Sequence, residues 1–64
     1  MTSLNQRTQN KKAELLHVER QITRIKRRLD QYYTQTDDTY LNNHINLANQ
    51  LENEIRQMEE AAKQ

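Results

Sequence analysis

Few residues in this 64-residue chain have the types and spacing that catalysis or metal binding requires. Glu14 and His17 stand three positions apart, so a helix would bring a carboxylate and an imidazole together, as a metal site needs. Leu15, however, takes the inward position there, and His17 falls on the outer side of the helix. The sequence has no cysteine, and no nucleophile–base pair, paired core carboxylates or phosphate loop. It predicts a protein that is not an enzyme and uses no cofactor, metal or small-molecule substrate.

A stripe of arginines is the strongest candidate for binding another molecule. Arg20, Arg24 and Arg27 recur at i, i+4 and i+7, and Arg28 widens the stripe. Such a ridge could contact the phosphates of RNA or DNA, or an acidic partner. The alternative is a solvated helix face that keeps the protein soluble. We favour that alternative because the net charge is only +1 and the second half of the chain is acidic.

A heptad seam determines where these side chains lie. Apolar residues follow one another at spacings of 3, 4, 3, 4 and 3, which is the a/d pattern of a helix that packs on another helix. The pattern predicts a first helix over about residues 10–33, after a polar, frayed lead over residues 1–9. The residues of this first seam are Leu15, Val18, Ile22, Ile25, Leu29 and Tyr32.

The seam is interrupted at residues 34–39, which include no apolar side chain. Thr36 or Asp37 can cap a new helix, and Asp37 and Asp38 then lie in its first turn, where negative charge suits the helix dipole. We expect a loop over about residues 34–37 and a second helix over about residues 38–62. Its apolar positions resume in a different phase, at Leu41, Ile45, Ala48, Leu51, Ile55 and Met58, with His44 at a polar d position.

Together these features predict an all-α fold in which residues 10–64 form an antiparallel helical hairpin. The absence of Gly and Pro argues against a β-sheet with tight turns, but leaves one continuous helix as an alternative. Charge favours the hairpin. Residues 1–35 hold eight basic and three acidic residues, a net +5, whereas residues 36–64 hold two basic and six acidic, a net −4. In the antiparallel pairing, Lys12 should lie near Glu59 or Glu60.

Three tyrosines, Tyr32, Tyr33 and Tyr40, bracket the predicted loop. We interpret them as a cap on the end of the bundle, with their rings packed inward and their hydroxyls in water. The alternative is an exposed aromatic platform for a base or a partner side chain.

The apolar residues make up only 33% of the chain, which is little for a core that stands alone. A second copy, giving a dimeric four-helix bundle, or another helical protein should therefore complete the fold. The function expected is that of a small non-enzymatic regulatory or adaptor protein acting through helix–helix contacts. Without a secretory signal or an apolar run that could span a membrane, the expected location is the cytoplasm, with no membrane partner.

Two resemblances point to other functions. The size and helix–loop–helix layout are similar to those of small dimeric four-helix-bundle proteins that bind RNA and control plasmid copy number, which implies RNA contacts near residues 20–28. Residues 47–52 resemble the Leu-Ser-Gln-x-Leu-Asp motif of small hairpin phosphatases that regulate sporulation in Gram-positive bacteria. Leu47 and Leu51 match, Glu52 replaces Asp, and Ser and Gln are lost. The second resemblance implies action on a phosphorylated regulator through Asn49 and Glu52.

Overall fold

A computed structural model describes residues 4–63. Residues 1–3 of the predicted lead, and residue 64 of the predicted hairpin, lie outside the described part. Within it the chain forms two α-helices of 28 residues each, α1 (Leu4–Gln31) and α2 (Gln35–Ala62). The helices pack side by side, and ion pairs join the start of α1 to the end of α2. The predicted helical hairpin is confirmed, and the alternative of one continuous helix is wrong.

The first helix starts earlier than the expected position near residue 10. Two polar residues continue the seam backwards, Thr8 at an a position and Lys11 at a d position. Thr8 is buried, and the Nζ atom of half-buried Lys11 lies 2.8 Å from an Oε atom of Glu54 on α2. The polar seam is therefore buried at Thr8 and contacts α2 at Lys11, and the helix includes it. The division into a frayed lead and a hairpin domain stays a prediction.

The loop is shorter than expected and lies at residues 32–34, because the cap is neither Thr36 nor Asp37. Thr34 has an extended backbone (φ −133°, ψ 145°), and its Oγ1 accepts a hydrogen bond from the backbone N–H of Asp37 at 3.2 Å. Capping at Thr34 draws Gln35 and Thr36 into the first turn of α2. Asp37 and Asp38 still lie in that turn, as predicted.

The core between the helices is thin. Among the side chains that the structure describes, five apolar ones are buried, namely Val18, Ile25, Ala48, Leu51 and Ile55. Leu15 and Ile22 pack against this core and are half-buried. Neither described helix is long and apolar enough to cross a membrane. Several residues of the seam are only half-buried in the single hairpin, so part of the seam remains in contact with water.

Candidate interaction surface

Two helices packed side by side leave a broad face on each side of the seam between them. On one side, which we call the groove face, the a and e positions of both helices line continuous grooves. On the other side, the opposite face, the d and g positions do so. The groove face consists of Lys12, Leu15, Glu19, Ile22 and Lys26 on α1, and Ile45, Ala48, Glu52, Ile55 and Glu59 on α2.

The groove face has an apolar floor that is open to solvent. Leu15 and Ile22 form its α1 side and rest on the buried cluster of Val18, Ala48 and Leu51. Ile45 rises from α2 beside this floor and is 36% exposed. Leu16, at the margin on α1, is 50% exposed. Apolar surface arranged in a line along both helices has the form of a helix-packing site rather than of scattered surface residues.

Charged side chains border this floor, and the central ones lack partners. Within residues 4–63, the side chains of Glu19, Lys26 and Glu52 form no ion pair. At the end far from the loop, the Nζ atom of Lys12 lies 3.5 Å from an Oε atom of Glu59. The sequence-based expectation that Lys12 approaches Glu59 is confirmed, and the pair fixes the register of the hairpin.

On the opposite face, two carboxylates are paired with basic residues of α1. The Lys11–Glu54 contact, at 2.8 Å, holds the pKa of the Lys11 ammonium above its usual value and the pKa of the Glu54 carboxyl below it. Near the loop, a guanidinium nitrogen of Arg28 lies 2.5 Å from Oδ1 of Asp37, and this hydrogen bond lowers the pKa of the Asp37 carboxyl. These two contacts link α1 to α2 on the side away from the groove.

Of the predicted arginine stripe, three members remain available to another molecule. Arg20, Arg24 and Arg27 are exposed and form no ion pair within the described residues. Arg28 differs because its guanidinium is engaged by Asp37.

The aromatic residues near the loop do not form the inward-packed cap. Tyr32 is 75% exposed and Tyr33 64% exposed, so neither ring packs inward in the single hairpin. Tyr32 leaves the seam because α1 ends at Gln31, where helical periodicity stops. The Tyr33 hydroxyl donates to Oδ2 of Asp38 at 3.1 Å, which raises the pKa of the phenol.

The ring of His44 is half-buried and lies against its own helix. It stacks on Tyr40 with 4.0 Å between the ring centroids, and its Nδ1 lies 2.9 Å from the backbone carbonyl oxygen of Tyr40. These local contacts account for a polar residue at the d position.

The twelve residues assigned to the helix–helix interface from the sequence differ in burial. Five are the buried core residues named above, and five more are half-buried: Leu15, Ile22, Leu29, Leu41 and Met58. Tyr32 and Ile45 are exposed in the single hairpin. Sequence reasoning missed Thr8 and Lys11 as contact residues, although the heptad count run backwards from Leu15 gives their positions.

The Glu14–His17 pair, which the sequence offered as a possible metal site, lies on the surface of α1. Glu14 and His17 are both exposed, and Glu14 lies near Lys11, with 4.0 Å between the ammonium and a carboxylate oxygen. No group of three His, Cys, Asp or Glu side chains between residues 4 and 63 is placed to hold a metal ion. No family model, curated protein or solved structure matches this chain.

Proposed function

We propose that this protein is a small, non-enzymatic regulatory or adaptor protein of the cytoplasm that works through helix–helix contacts made by its groove face. The helical partner is either a second copy or another protein. The observation that carries the proposal is the uncovered apolar floor formed by Leu15, Ile22 and Ile45.

The amount of exposed surface supports this proposal. The chain has 5284 Å² of solvent-accessible surface at a mass of 7.8 kDa, whereas a compact monomer of that mass exposes about 4,400 Å². The excess is about 900 Å², close to the roughly 800 Å² that each partner buries in a standard protein–protein interface. The excess area is therefore large enough for an interface with one helical partner.

Thermal unfolding of the isolated chain tests the proposal. A hairpin that lacks its partner should be only marginally stable, so we expect partial helicity and a low thermal unfolding midpoint at micromolar concentration. If the chain self-associates, both the helicity and the midpoint should rise with protein concentration. Changing Ile45 to Glu should abolish any such rise, because a charge would enter the groove. Changing the neighbouring exposed Asn46 to Glu adds the same charge on the outer side of α2 and should leave the rise intact.

A stable monomer would contradict the proposed function. If the chain unfolded cooperatively as a monomer, with a concentration-independent midpoint in the ordinary range of about 45–65 °C, the groove face would need no partner. That result would overturn the proposal.

A second candidate function is nucleic-acid binding, favoured by the exposed and unpaired Arg20, Arg24 and Arg27. Three phosphate contacts predict that the logarithm of the affinity falls with the logarithm of salt concentration with a slope of about −2.7. Fluorescence anisotropy with labelled RNA and DNA duplexes would measure it. Changing the three arginines to Gln should remove the binding, and no binding of the unchanged chain at low salt would discard this candidate.

A further inference from the structure

We propose that the occupant of the groove face is a second copy of this chain, with α1 of one copy packed antiparallel on α1 of the other around a two-fold axis beside Ile22. This inference rests on the proposed function and adds the identity of the partner and the geometry of the contact. It follows from the unpaired charges around the groove and from the register of the hairpin.

Charge distinguishes the groove face from the opposite face. Within the described residues, the opposite face pairs its carboxylates in the Lys11–Glu54 and Arg28–Asp37 contacts, and the charges that it leaves unpaired, Arg7 and Arg24, are both basic. The groove face holds Glu19, Lys26 and Glu52 without ion pairs, beside apolar residues that remain half-exposed. Unpaired charges of both signs beside an apolar floor are what a self-complementary contact requires.

The register of the hairpin determines which charges lie side by side. Lys12 pairs with Glu59, and one heptad further along each helix, in opposite directions, are Glu19 and Glu52. One heptad further again are Lys26 on α1 and Ile45 on α2. These two residues line one common groove together with Glu19 and Glu52. On this face, therefore, Glu19 is level with Glu52, and Lys26 is level with Ile45.

Two hairpins stacked on this face with their helices aligned can be related by a two-fold axis in two ways. If the axis runs along the helices, α1 of one copy lies on α2 of the other, and residues at the same level meet. Glu19 would then face Glu52 of the second copy, twice per dimer. Lys12 would face Glu59, but these two residues already pair within each chain, so that contact adds little. Like charges in direct opposition at Glu19 and Glu52 are destabilising, so this arrangement is disfavoured.

If the axis runs across the helices, α1 lies on α1 and the two run in opposite directions. Glu19 of each copy can then meet Lys26 of the other, which gives two ion pairs of opposite charge. The axis falls midway between positions 19 and 26, so the half-exposed side chain of Ile22 meets its counterpart. At the same level the axis passes α2 close to Asn49, near the midpoint of Gln35–Ala62, so α2 can overlap its counterpart along its length. Glu52 then faces Ile45 of the second copy, and Glu59 faces Asp38 near the ends of the helices, so the electrostatic attraction comes from the central Glu19–Lys26 pairs.

Charge reversal tests this arrangement, with the dimer dissociation constant measured by sedimentation equilibrium. Glu19→Lys and Lys26→Glu each replace two attractive pairs by two repulsive ones, and each should weaken the dimer about tenfold. Combining both changes restores opposite charges, and the dissociation constant should return to within about threefold of the original. Arg27→Glu is the matched control, since the same charge change falls on the outer side of α1.

A single cysteine provides a second test, because the chain has none of its own. Ile22→Cys places the thiol at the proposed axis, so mild oxidation should link two copies rapidly. Leu47→Cys, on α2 one heptad after Tyr40 of the opposite face, should not form that link. Rapid linking through Leu47→Cys and none through Ile22→Cys would overturn the assignment of the face.

The outcomes separate this inference from the proposed function. A dimer that is indifferent to the charge reversals would overturn the arrangement but leave the helix-contact function standing. A marginally helical monomer would overturn the second copy as occupant and assign the groove to another protein. A stable folded monomer would overturn both.

Discussion

At the scale of single residues, ion pairs at the margins of a thin apolar core add to the packing between the helices. Lys11, Lys12 and Arg28 of the basic helix each reach an acidic residue of α2. Exposed pairs of this kind contribute little each, but together they favour the antiparallel register in which the positive half of the chain lies on the negative half. Their effect on stability should depend on pH.

The acid limb of that dependence follows from the lowered pKa values of Asp37 and Glu54. Each carboxylate stabilises the hairpin above its ordinary pKa, 3.8 and 4.5 respectively, and that contribution is lost as the pH falls through the lower folded-state value. The raised pKa of Lys11 has the opposite sign, so its contribution is complete below 10.5 and is lost at higher pH. The Lys11–Glu54 contact therefore contributes fully between about pH 4.5 and 10.5, and the Arg28–Asp37 contact contributes fully above about pH 3.8.

Replacing the basic partners should weaken the acid dependence of stability. In Lys11→Met or Arg28→Met the folded-state pKa of the carboxyl partner returns toward its ordinary value, so the stabilisation at neutral pH is lost and stability falls less as the pH is lowered. Circular dichroism during acid titration would follow the loss of helix. Arg27→Met is the control, because Arg27 forms no ion pair in the described residues. Identical titrations for all three variants would contradict the assigned role of the pairs.

At the scale of elements, the start of α2 depends on one side chain. The Thr34 hydroxyl accepts the backbone N–H of Asp37, three residues along. The sequence alone placed the cap at Thr36 or Asp37, because the two aspartates were read as immediately following it. Local sequence does not distinguish Thr34, Thr36 and Asp37, since all three residue types are good helix caps. The reversal of the chain gives Thr34 an extended backbone, and this conformation makes Thr34 the cap.

Substitution at this cap should distinguish the two assignments. Thr34→Ala removes the acceptor and should cost about 1 kcal/mol, which lowers the thermal midpoint of a chain this size by about 4–8 °C. Thr36→Ala changes an exposed residue inside the first turn and should have a much smaller effect. A larger loss from Thr36→Ala would show that the helix begins where the sequence pattern placed it.

The core of the seam gives a larger expected effect. Ile25 is 2% exposed, and truncation of such a side chain to Ala costs about 2–5 kcal/mol. That loss is comparable to the whole stability of a small domain, so Ile25→Ala should lose most of its helix signal at room temperature. Arg27→Ala on the exposed side should keep it. Retention of full helicity by Ile25→Ala would mean that the helices form without packing on each other.

At the scale of the whole molecule, periodicity predicted the hairpin well because a heptad seam records directly which side of a helix is covered. Val18, Ile25, Leu51 and Ile55 were assigned to the interface from spacing alone and are buried. Thr8 and Lys11 were missed, because hydropathy does not show that a polar residue can be buried when a partner such as Glu54 lies opposite. The sequence does not distinguish the two faces of the hairpin, because the difference depends on which charges form ion pairs in the folded structure.

The groove face is where we place the proposed contact with a second helical chain. Its half-exposed apolar floor and its unpaired charges support that proposal. The arginine stripe lies on the outer side of α1 and would remain exposed in such an assembly. One molecule could therefore dimerise through the groove face and bind an acidic or phosphate-bearing partner through the arginine stripe at the same time.

The most direct test of this account is the mass of the purified chain in solution, measured by sedimentation equilibrium over a wide range of concentrations. We expect a reversible equilibrium that reaches twice the chain mass of 7.8 kDa, with helical content rising as the dimer forms. A fully helical species that keeps the mass of one chain at every concentration would contradict it, because the groove face would then be stable in water.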